Sequence, residues 1–430
     1  MKPSIFNSKI RIGSKIELIY NAASDKFLIC KDGALDRDWN LDSISDSLYF
    51  HLETGGFIVN DDIDEMDSVI YRILNIINKP DNFHLIINPT LQCNFRCWYC
   101  YEEHKVSKMS SQTILSLQEL IKKLAYQKKN LTISFFGGEP LLFYKEVMHP
   151  LIKYAYSTYK NSEANFDCNA TSNGYLFSKQ IIEELSSVNF KYVQITLDGD
   201  EEHHNAVRHT TSNSGSYKKI ISNIITLVKY NIDVILRFNY TPDNIIGIKS
   251  VAEEFCILNQ RERKLIHVSF HKVWQTEDIN PTDLEHTVNA FTKMGIEAKP
   301  TLYGEFCYGD KRNSVIVNYN GDLYKCTAVD FFNTPREGYI TSAGELLWEN
   351  NNLENRLSRI FSNKACLNCR IFPLCHGGCS TRPLKYPEGY CMMEYDEDRK
   401  DEAILQRFLY KLRTNPVWQK ALVAANPHKS

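Results

Sequence analysis

A regular alternation of short apolar runs and longer amphipathic stretches, between about residues 84 and 275, most restricts the possible folds. The runs are rich in Ile, Val, Leu and Phe and most end in Gly, Pro, Asn or Asp, which is typical of buried strands. Six runs fit this description: HLIINPT, NLTISFFGGEP, DCNATSNG, YVQITLDGD, IDVILRFNYTP and LIHVSFHKV. Stretches between them, such as SSQTILSLQELIKKLAYQ, carry apolar residues at helical intervals. Because repeated βα units form parallel sheets, and six units are too few for an eight-stranded barrel, we predict an α/β fold with a partial (β/α)6 barrel over residues 84–280.

The chain outside this region has a different character. In residues 1–83, KIELIYN and KFLICKDG predict a strand pair, and SISDSLYFHLE and DDIDEMDSVIYRILNII predict helices, so this segment is a candidate α+β domain. The βα alternation stops after about residue 280, and residues 281–395 are dense in cysteine, glycine and aromatic residues. Residues 396–430 begin with DEDRKDEAILQRFLYKLR, which predicts a charged amphipathic C-terminal helix.

Composition narrows the class of protein. The formal net charge of −2 gives no general electrostatic reason to expect nucleic acid or membrane as a partner. The N-terminus shows no secretion signal and no apolar run is long enough to span a bilayer, so we predict a cytoplasmic protein. A disulfide framework needs an oxidising compartment, and metal ligation is therefore the better explanation for 13 cysteines.

Four polar or glycine-rich motifs follow consecutive predicted strands. CNFRCWYC follows the first strand, GGEP the second, TSNG the third and LDGD the fourth. In barrels of this type the active site lies at the carboxyl ends of the strands. We therefore expect all four motifs to meet at one edge of the barrel.

The three cysteines of CNFRCWYC, at positions 93, 97 and 100, allow two interpretations. Cysteine thiolates hold iron–sulfur clusters, and three of them on a [4Fe–4S] cluster leave one iron open to an exogenous ligand. Alternatively, His104 supplies a fourth ligand and closes a Cys3His zinc site. A zinc site does not explain GGEP, whose glycines permit close backbone approach to a ligand, and this favours the open cluster.

With CNFRCWYC, GGEP, TSNG and LDG in this order over the whole βα region, the sequence resembles the radical S-adenosylmethionine (SAM) superfamily. In that family SAM chelates the open iron and is cleaved reductively to methionine and a 5′-deoxyadenosyl radical, which abstracts hydrogen from an unactivated C–H bond. The resemblance implies Cys93, Cys97 and Cys100 as cluster ligands.

The resemblance also implies the residues that contact SAM. They are Tyr99 at the adenine, Gly137, Gly138 and Glu139 at the methionine amino group, Ser172 and Asn173 at the ribose or carboxylate, and Arg208 at the carboxylate. A planar guanidinium suits a carboxylate. DGDEEHHNAVR matches the family's D-G-x4-H-D-x2-R except that Asn205 replaces Asp, so no role is assigned at 205.

Seven further cysteines lie in residues 281–395, and their spacing resembles the SPASM domain found behind many radical SAM enzymes that act on peptides and proteins. This resemblance implies two auxiliary [4Fe–4S] clusters, and three in total. One would be held by Cys366, Cys369, Cys375 and Cys391, the other by Cys307, Cys326 and Cys379. The alternative is a zinc ribbon. KPTLYGEF has no further cysteine, so the three-ligand cluster keeps an open iron or takes another ligand. Cys30, Cys168 and Cys256 are predicted to have no metal role.

The substrate prediction rests on resemblance to two kinds of relative. One crosslinks side chains of a ribosomally made precursor peptide, and the other, the anaerobic sulfatase-maturing enzyme, oxidises Cys or Ser to formylglycine. More than 80 residues precede the cysteine loop, and Thr327 rather than an acid follows Cys326, with Asp330 the nearest acid. Both features favour a peptide maturase that forms a thioether or carbon–carbon crosslink.

The N-terminal segment would bind the leader part of the peptide by adding it to an exposed strand edge. The alternative is that this segment forms a helical cap on the barrel. Reduced flavodoxin or ferredoxin would supply electrons. The alternative from another class is a non-catalytic iron–sulfur protein for electron transfer or binding.

Overall fold

The computed structural model describes residues 1–13, 15–36, 39–210, 212, 214–299, 306–381, 390–415 and 417–418. The chain divides into two compact units. Unit 1 combines residues 1–78, 302–310 and 352–430, and unit 2 combines residues 79–301 and 311–351. The domain boundaries expected after residues 83, 280 and 395 stay predictions. Parts of KPTLYGEF, residues 382–389 and most residues beyond 415 lie outside the described residues.

The N-terminal part of unit 1 is the predicted α+β arrangement. Its elements are β1 (Lys2–Pro3), β2 (Asn7–Ile12), β3 (Ile16–Asn21), β4 (Lys26–Lys31), α1 (Asp46–Gly55), β5 (Ile58–Val59) and α2 (Glu65–Ile77). The predicted strand pair β3 and β4 is joined by β2 into an antiparallel sheet of order β2-β3-β4, while β1 pairs with β5. The side chain of Asp64 caps α2 by accepting from the Asp67 amide, and the helix buries Val69, Ile73 and Ile77.

The central strands of unit 2 confirm the predicted partial barrel. They are β6 (Asn82–Ile87), β7 (Asn130–Phe135), β8 (Phe166–Ser172), β9 (Phe190–Leu197), β10 (Asp233–Tyr240) and β11 (Ile266–Lys272). Each is parallel to the next in chain order. All six strands coincide with the apolar runs from which strands were predicted.

Five short strands extend this sheet beyond the six that were predicted. They are β12 (Glu297–Lys299), β13 (Ser314–Val317), β14 (Asp322–Tyr324), β15 (Gly338–Ile340) and β16 (Leu346–Trp348). β12 pairs in parallel with β11, and β13 pairs in parallel with β6 at the opposite edge. β14 to β16 continue from β13 as antiparallel strands. Residues after 280 therefore contribute to the barrel sheet as well as to unit 1.

Helices cover the outer face of the barrel strands. They are α3 (Ser111–Tyr126), α4 (His149–Tyr159), α5 (Lys179–Ser186), α6 (Glu201–Val207), α7 (Tyr217–Lys229), α8 (Ile245–Ile248), α9 (Gln260–Arg263) and α10 (Pro281–Lys293). In α3, Leu117 and Ile121 are fully buried and belong to the same core cluster as Leu85 and Ile133 of the strands. The alternation of strand side chains leaves the opposite positions facing the barrel interior.

The remainder of unit 1 is helical. It comprises α11 (Asn352–Ser362), α12 (Lys364–Leu367), α13 (Phe372–Cys375) and α14 (Glu397–Thr414). α14 packs against the N-terminal sheet, since the rings of Phe408 and Phe27 lie 5.2 Å apart and Arg407 forms an ion pair with Asp25 at 2.6 Å. Among the described helices, none combines the length and apolar character that crossing a membrane requires.

Candidate functional site

The cysteine loop after β6 lines a cavity at the carboxyl ends of the barrel strands. Cys93, Cys97 and Cys100 all face this cavity, which has a volume of about 210 Å³. The Cys100 amide donates to the Cys97 carbonyl at 3.1 Å, which closes a tight turn between the second and third thiols. Residues from GGEP, TSNG and the segment after LDGD line the same cavity, so the structure brings the four motifs together as the parallel topology predicts.

The two glycines of GGEP allow the backbone after β7 to lie directly against the segment that enters the cysteine loop. Gly138 donates its amide to the Thr90 carbonyl at 3.1 Å. A Cβ on Gly137 would lie 2.5 Å from the Thr90 oxygen, and one on Gly138 would lie 2.4 Å from the Gln92 oxygen. Gly137 also has φ +104°, which disfavours any residue with a side chain. These glycines therefore fix the position of the cysteine loop.

Gly137→Ala tests this close approach. We expect it to lower the free energy of unfolding by about 2–4 kcal/mol, from the positive φ and from the collision with Thr90 together. Gly295→Ala is the matched control, because Gly295 has φ +74° but nothing within 4 Å of its added Cβ. Denaturant unfolding should show a clearly smaller loss for Gly295→Ala. Equal losses would contradict a packing role for Gly137.

The Glu139 carboxylate joins the second and third motifs. Glu139 is fully buried and accepts from the Ser172 hydroxyl at 2.9 Å, the Asn173 amide at 2.8 Å and the Leu141 amide at 3.1 Å. The Asn173 side chain in turn donates to Asn94 Oδ1 at 2.8 Å, inside the cysteine loop. Burial raises the pKa of Glu139 to about 7. Its side chain therefore holds Ser172 and Asn173 in place, whereas the contact with the SAM amino group that the resemblance implies stays a prediction.

Tyr99 and Arg208 form a buried network with Asp198. Arg208 Nε donates to Asp198 Oδ2 at 2.8 Å, and its Nη2 donates to the Tyr99 hydroxyl at 2.8 Å. The Tyr99 hydroxyl donates to Asp198, and Asn239 donates to Tyr99 at 3.2 Å. Burial raises the pKa of Tyr99 well above its usual value, so the phenol stays protonated. Two of the three Arg208 nitrogens are thus already engaged within the protein.

Three residues of the site were not predicted from the sequence: Asp198, Arg237 and Asn239. Asp198 is only 1% exposed and pairs with Arg208, while Arg237 and Asn239 line the cavity from β10. The sequence contains a signal for two of them. Asp198 is the first acid of LDGD, and Arg237 interrupts the apolar run VILRF. A strand-end acid and a charge in a buried strand both indicate a functional interior.

The three thiols suit an iron–sulfur cluster better than a single metal ion. Burial raises the pKa of Cys93 to about 12 and also raises the pKa of Cys97 and Cys100, so iron binding must displace protons from these thiols. Within the described part of the chain, no three His, Cys, Asp or Glu side chains converge on one ion position. Each thiolate of a [4Fe–4S] cluster binds a different iron, so the three sulfur atoms do not have to converge on one ion position. His104 lines the same cavity.

A second group of cysteines is gathered in unit 1. Four thiols line one small cavity of about 30 Å³: Cys366, Cys369, Cys375 and Cys391. Burial raises the pKa of Cys375 to about 12, and the charges of the other three thiols act in the same direction. Lys400 lines the same cavity. These are the four residues that the resemblance implies for one auxiliary cluster, and their thiol chemistry fits that group.

Cys307 and Cys379 belong to segments that are joined by a buried ion pair in unit 1. Arg356 of α11 donates to Asp310 Oδ1 at 2.9 Å and, through Nε, to the Ser380 hydroxyl at 3.0 Å. Asp310 follows Cys307 by three residues, and its backbone amide donates to the Cys307 carbonyl at 3.1 Å. Ser380 is adjacent to Cys379. The ligation of one cluster by these cysteines and Cys326 stays a prediction.

Arg356→Lys tests whether this ion pair holds the two cysteine segments. Lysine keeps the charge but loses the two-pronged contact with Asp310 and Ser380, so we expect about 1–2 kcal/mol less stability. We also expect reconstituted protein to bind less iron. Arg359→Lys on the same helix, where the side chain is partly exposed, should leave both measurements unchanged. Unaltered iron content in Arg356→Lys would argue against a link between the ion pair and the cysteines.

Three features at the strand ends of this parallel barrel define a class of enzyme. They are an open set of three thiols, a double glycine and a polar TSN turn. The family model described as the Radical SAM superfamily matches residues 87–255, so this part of the chain carries a radical SAM domain. Such a domain implies SAM and a [4Fe–4S] cluster as cofactors. It also favours an enzyme over the alternative of a non-catalytic iron–sulfur protein.

Three similar proteins add detail. By sequence, the cysteine-type anaerobic sulfatase-maturating enzyme of Clostridium novyi is 25% identical over 347 residues, which cover 71% of this chain and 90% of that protein. By structure, native anSMEcpe with bound AdoMet and Cp18Cys peptide has a TM-score of 0.57 at 19% identity, covering 80% of this chain and 99% of that one. Streptococcus suis SuiB bound to precursor peptide SuiA has a TM-score of 0.53 at 14% identity, covering 89% and 96%. At these identities the structural likeness establishes the fold.

Proposed function

We propose that this enzyme is a peptide maturase that forms a thioether or carbon–carbon crosslink in a ribosomally made precursor peptide. The observation that carries the proposal is the presence, in one chain, of a three-thiol cavity and a separate set of four thiols. The relatives support a peptide substrate, because two of the similar structures are peptide complexes and the sequence relative is a sulfatase-maturating enzyme.

Residues of the barrel cavity would hold the cluster and the cosubstrate. Cys93, Cys97 and Cys100 would ligate a [4Fe–4S] cluster, which when bound supplies the electron that cleaves SAM to methionine and a 5′-deoxyadenosyl radical. The cavity lining offers Gly137, Gly138, Ser172 and Asn173 to the methionine part of SAM. Glu139 would orient the last two through its buried hydrogen bonds.

Tyr99 and Arg208 would shape the other side of the SAM site. Their shared contacts with Asp198 fix the phenol and the guanidinium in one arrangement at the cavity wall. A rigid wall of this kind excludes water and restricts where a bound radical precursor can lie. The adenine contact of Tyr99 is part of this proposal.

The auxiliary cysteines would serve electron transfer. Forming a crosslink removes two hydrogens from the peptide, one as an atom and the other as a proton plus an electron. A cluster held by Cys366, Cys369, Cys375 and Cys391, and one held by Cys307, Cys326 and Cys379, would supply acceptors for that electron. Reduced flavodoxin or ferredoxin would deliver electrons to the barrel cluster.

The N-terminal sheet would bind the leader part of the peptide. In the antiparallel order β2-β3-β4 the two outer strands, β2 and β4, each have one edge outside this sheet. An extended peptide can add to such an edge through main-chain hydrogen bonds. We therefore propose the N-terminal part of unit 1 as the leader-binding region.

The function is tested by anaerobic incubation of reconstituted protein with SAM, a strong reductant and a short peptide encoded beside this gene. Release of 5′-deoxyadenosine together with a peptide that has lost two hydrogens is the expected result. Absence of 5′-deoxyadenosine would refute SAM cleavage. Cleavage of SAM with an unmodified peptide would refute that choice of substrate.

The second candidate function is formylglycine formation in a sulfatase, favoured by the sequence relative whose length this chain covers to 90%. Against it, Thr327 follows Cys326, and the nearby acid Asp330 accepts from the side chain of Asn333. The two functions differ in product. Conversion of a cysteine in a sulfatase peptide to an aldehyde, detected by carbonyl-specific labelling, would establish this alternative instead of the crosslink.

A further inference from the structure

Two exposed aromatic side chains lie at the mouth of the barrel cavity, and the mechanism above gives them no role. Tyr101 follows the third thiol of the cysteine loop, and Trp274 follows β11. Both line the cavity, yet 42% of Tyr101 and 70% of Trp274 are exposed. Their rings stack with centroids 6.3 Å apart and planes inclined by 18°. The pair therefore joins the loop after the first barrel strand to the loop after the sixth.

The turn that carries Trp274 is fixed by hydrogen bonds. Val273, which is buried, donates its amide to the Tyr240 carbonyl at the end of β10 at 3.0 Å. The Thr276 amide and hydroxyl both donate to the Val273 carbonyl, at 3.1 and 2.9 Å, and close a turn over residues 273–276. The indole on this turn adds little to the core, so folding alone does not explain a tryptophan there.

Tyr101 is held in place by contacts within the same unit. Its hydroxyl donates to the Thr327 carbonyl at 2.9 Å. The carbonyl of Tyr99, two residues earlier, accepts from the Gln275 side chain at 3.4 Å, which ties the cysteine loop to the turn of Trp274. Both rings are thus positioned before a ligand binds, so a ligand that stacks on them loses little affinity to the ordering of the protein.

The charges of the cavity indicate which kind of side chain fits this aromatic pair. Exposed indole and phenol rings attract other aromatic rings and also cations. Among the described residues, the charged side chains that line the cavity are three cations, Arg208, Arg237 and Lys272, and one acid, Glu102. Because the cations outnumber the acid, a lysine or arginine of a ligand is disfavoured here, whereas an uncharged aromatic ring is not.

Resting on the proposed function, we propose that Tyr101 and Trp274 form a clamp that binds an aromatic side chain of the peptide substrate near the residue that reacts. The peptide has to pass the mouth of the cavity to reach the three-thiol site. Tyr101 is adjacent in the chain to Cys100, so a side chain stacked on the clamp belongs to a near neighbour of the reacting residue. The clamp determines which peptides bind and contacts no reacting atom.

The test compares wild type, Trp274→Ala and Trp274→Phe as reconstituted holoenzymes with SAM, and uses Tyr126→Ala as the control. Tyr126 ends α3 and is 90% exposed. The probes are forms of the peptide encoded beside this gene in which Phe, Leu, Ala or Arg is placed at each position in turn. Iron content establishes that each variant is loaded. Dissociation constants are measured anaerobically without reductant, and 5′-deoxyadenosine and modified peptide are then measured with reductant.

At one position or more, wild type should bind the Phe form about threefold to tenfold more tightly than the Ala form, and the Arg form no more tightly than the Ala form. Trp274→Ala should remove this preference, Trp274→Phe should keep part of it, and Tyr126→Ala should keep all of it. Absence of the preference in wild type, or its survival in Trp274→Ala, would overturn the inference.

Two further outcomes separate the clamp from other roles. If Trp274→Ala left every dissociation constant unchanged and only released more 5′-deoxyadenosine per modified peptide, the pair would be a lid over the cavity, and the clamp would be refuted. If wild type showed the preference for Phe but modified none of the peptides, the proposed function would fail while the clamp stood.

Discussion

Cys97→Ala is expected to abolish the formation of 5′-deoxyadenosine from SAM. The reason is that three thiols are the minimum that leaves a [4Fe–4S] cluster with a single open iron, and removal of one leaves two. Cys97 is the central thiol of the loop and contributes to the cavity wall. The measurement is 5′-deoxyadenosine after anaerobic incubation with SAM and reductant, together with iron content. Iron should fall by about one cluster, because the cysteines of unit 1 are unchanged.

Cys256→Ala is the matched control for this experiment. Cys256 is an exposed cysteine of the same unit and has no predicted metal role. It should retain both iron content and SAM cleavage. If Cys97→Ala still released 5′-deoxyadenosine at the wild-type rate, the assignment of the barrel cluster to this loop would be wrong.

The barrel could be predicted from sequence because its signal is local. Each of the six central strands is an apolar run of six to eight residues that ends at a turn, and parallel order follows from the helices between them. β12 to β16 were missed because strands of three or four residues carry no measurable periodicity. β2 was missed for another reason: four of the six residues in its sequence NSKIRI are polar, and only Ser8 and Ile10 are buried.

The candidate site could be predicted in position but not in contacts. The motifs fall at strand ends, so topology alone brought GGEP and TSNG beside the cysteine loop. The contacts depend on pairs far apart in the chain, such as Glu139 with Asn173 and Tyr99 with Asp198, which are 34 and 99 residues apart. Only the folded chain shows that Glu139 and Arg208 satisfy partners within the protein before any ligand binds.

The buried pair of Asp198 and Arg208 leads to the second large expected effect. Asp198→Asn removes the only carboxylate that the described residues place on Arg208, whose side chain is 10% exposed. Removing one partner of a buried ion pair leaves the other charge uncompensated and costs about 3–5 kcal/mol of stability. The same change replaces the charged acceptor of the Tyr99 hydroxyl with a neutral amide, so we expect SAM cleavage to be lost as well. Anaerobic denaturant unfolding and 5′-deoxyadenosine release measure the two effects.

A double-variant cycle separates stability from function at this pair. Asp198→Asn with Arg208→Gln removes both charges, so the unpaired guanidinium no longer exists and the double variant should be more stable than Asp198→Asn alone by about 1–3 kcal/mol. Its SAM cleavage should stay lost, because Tyr99 has then lost both of its charged partners. Strictly additive stabilities would mean that the two charges do not compensate each other. Recovered cleavage would mean that the network affects SAM only through folding stability.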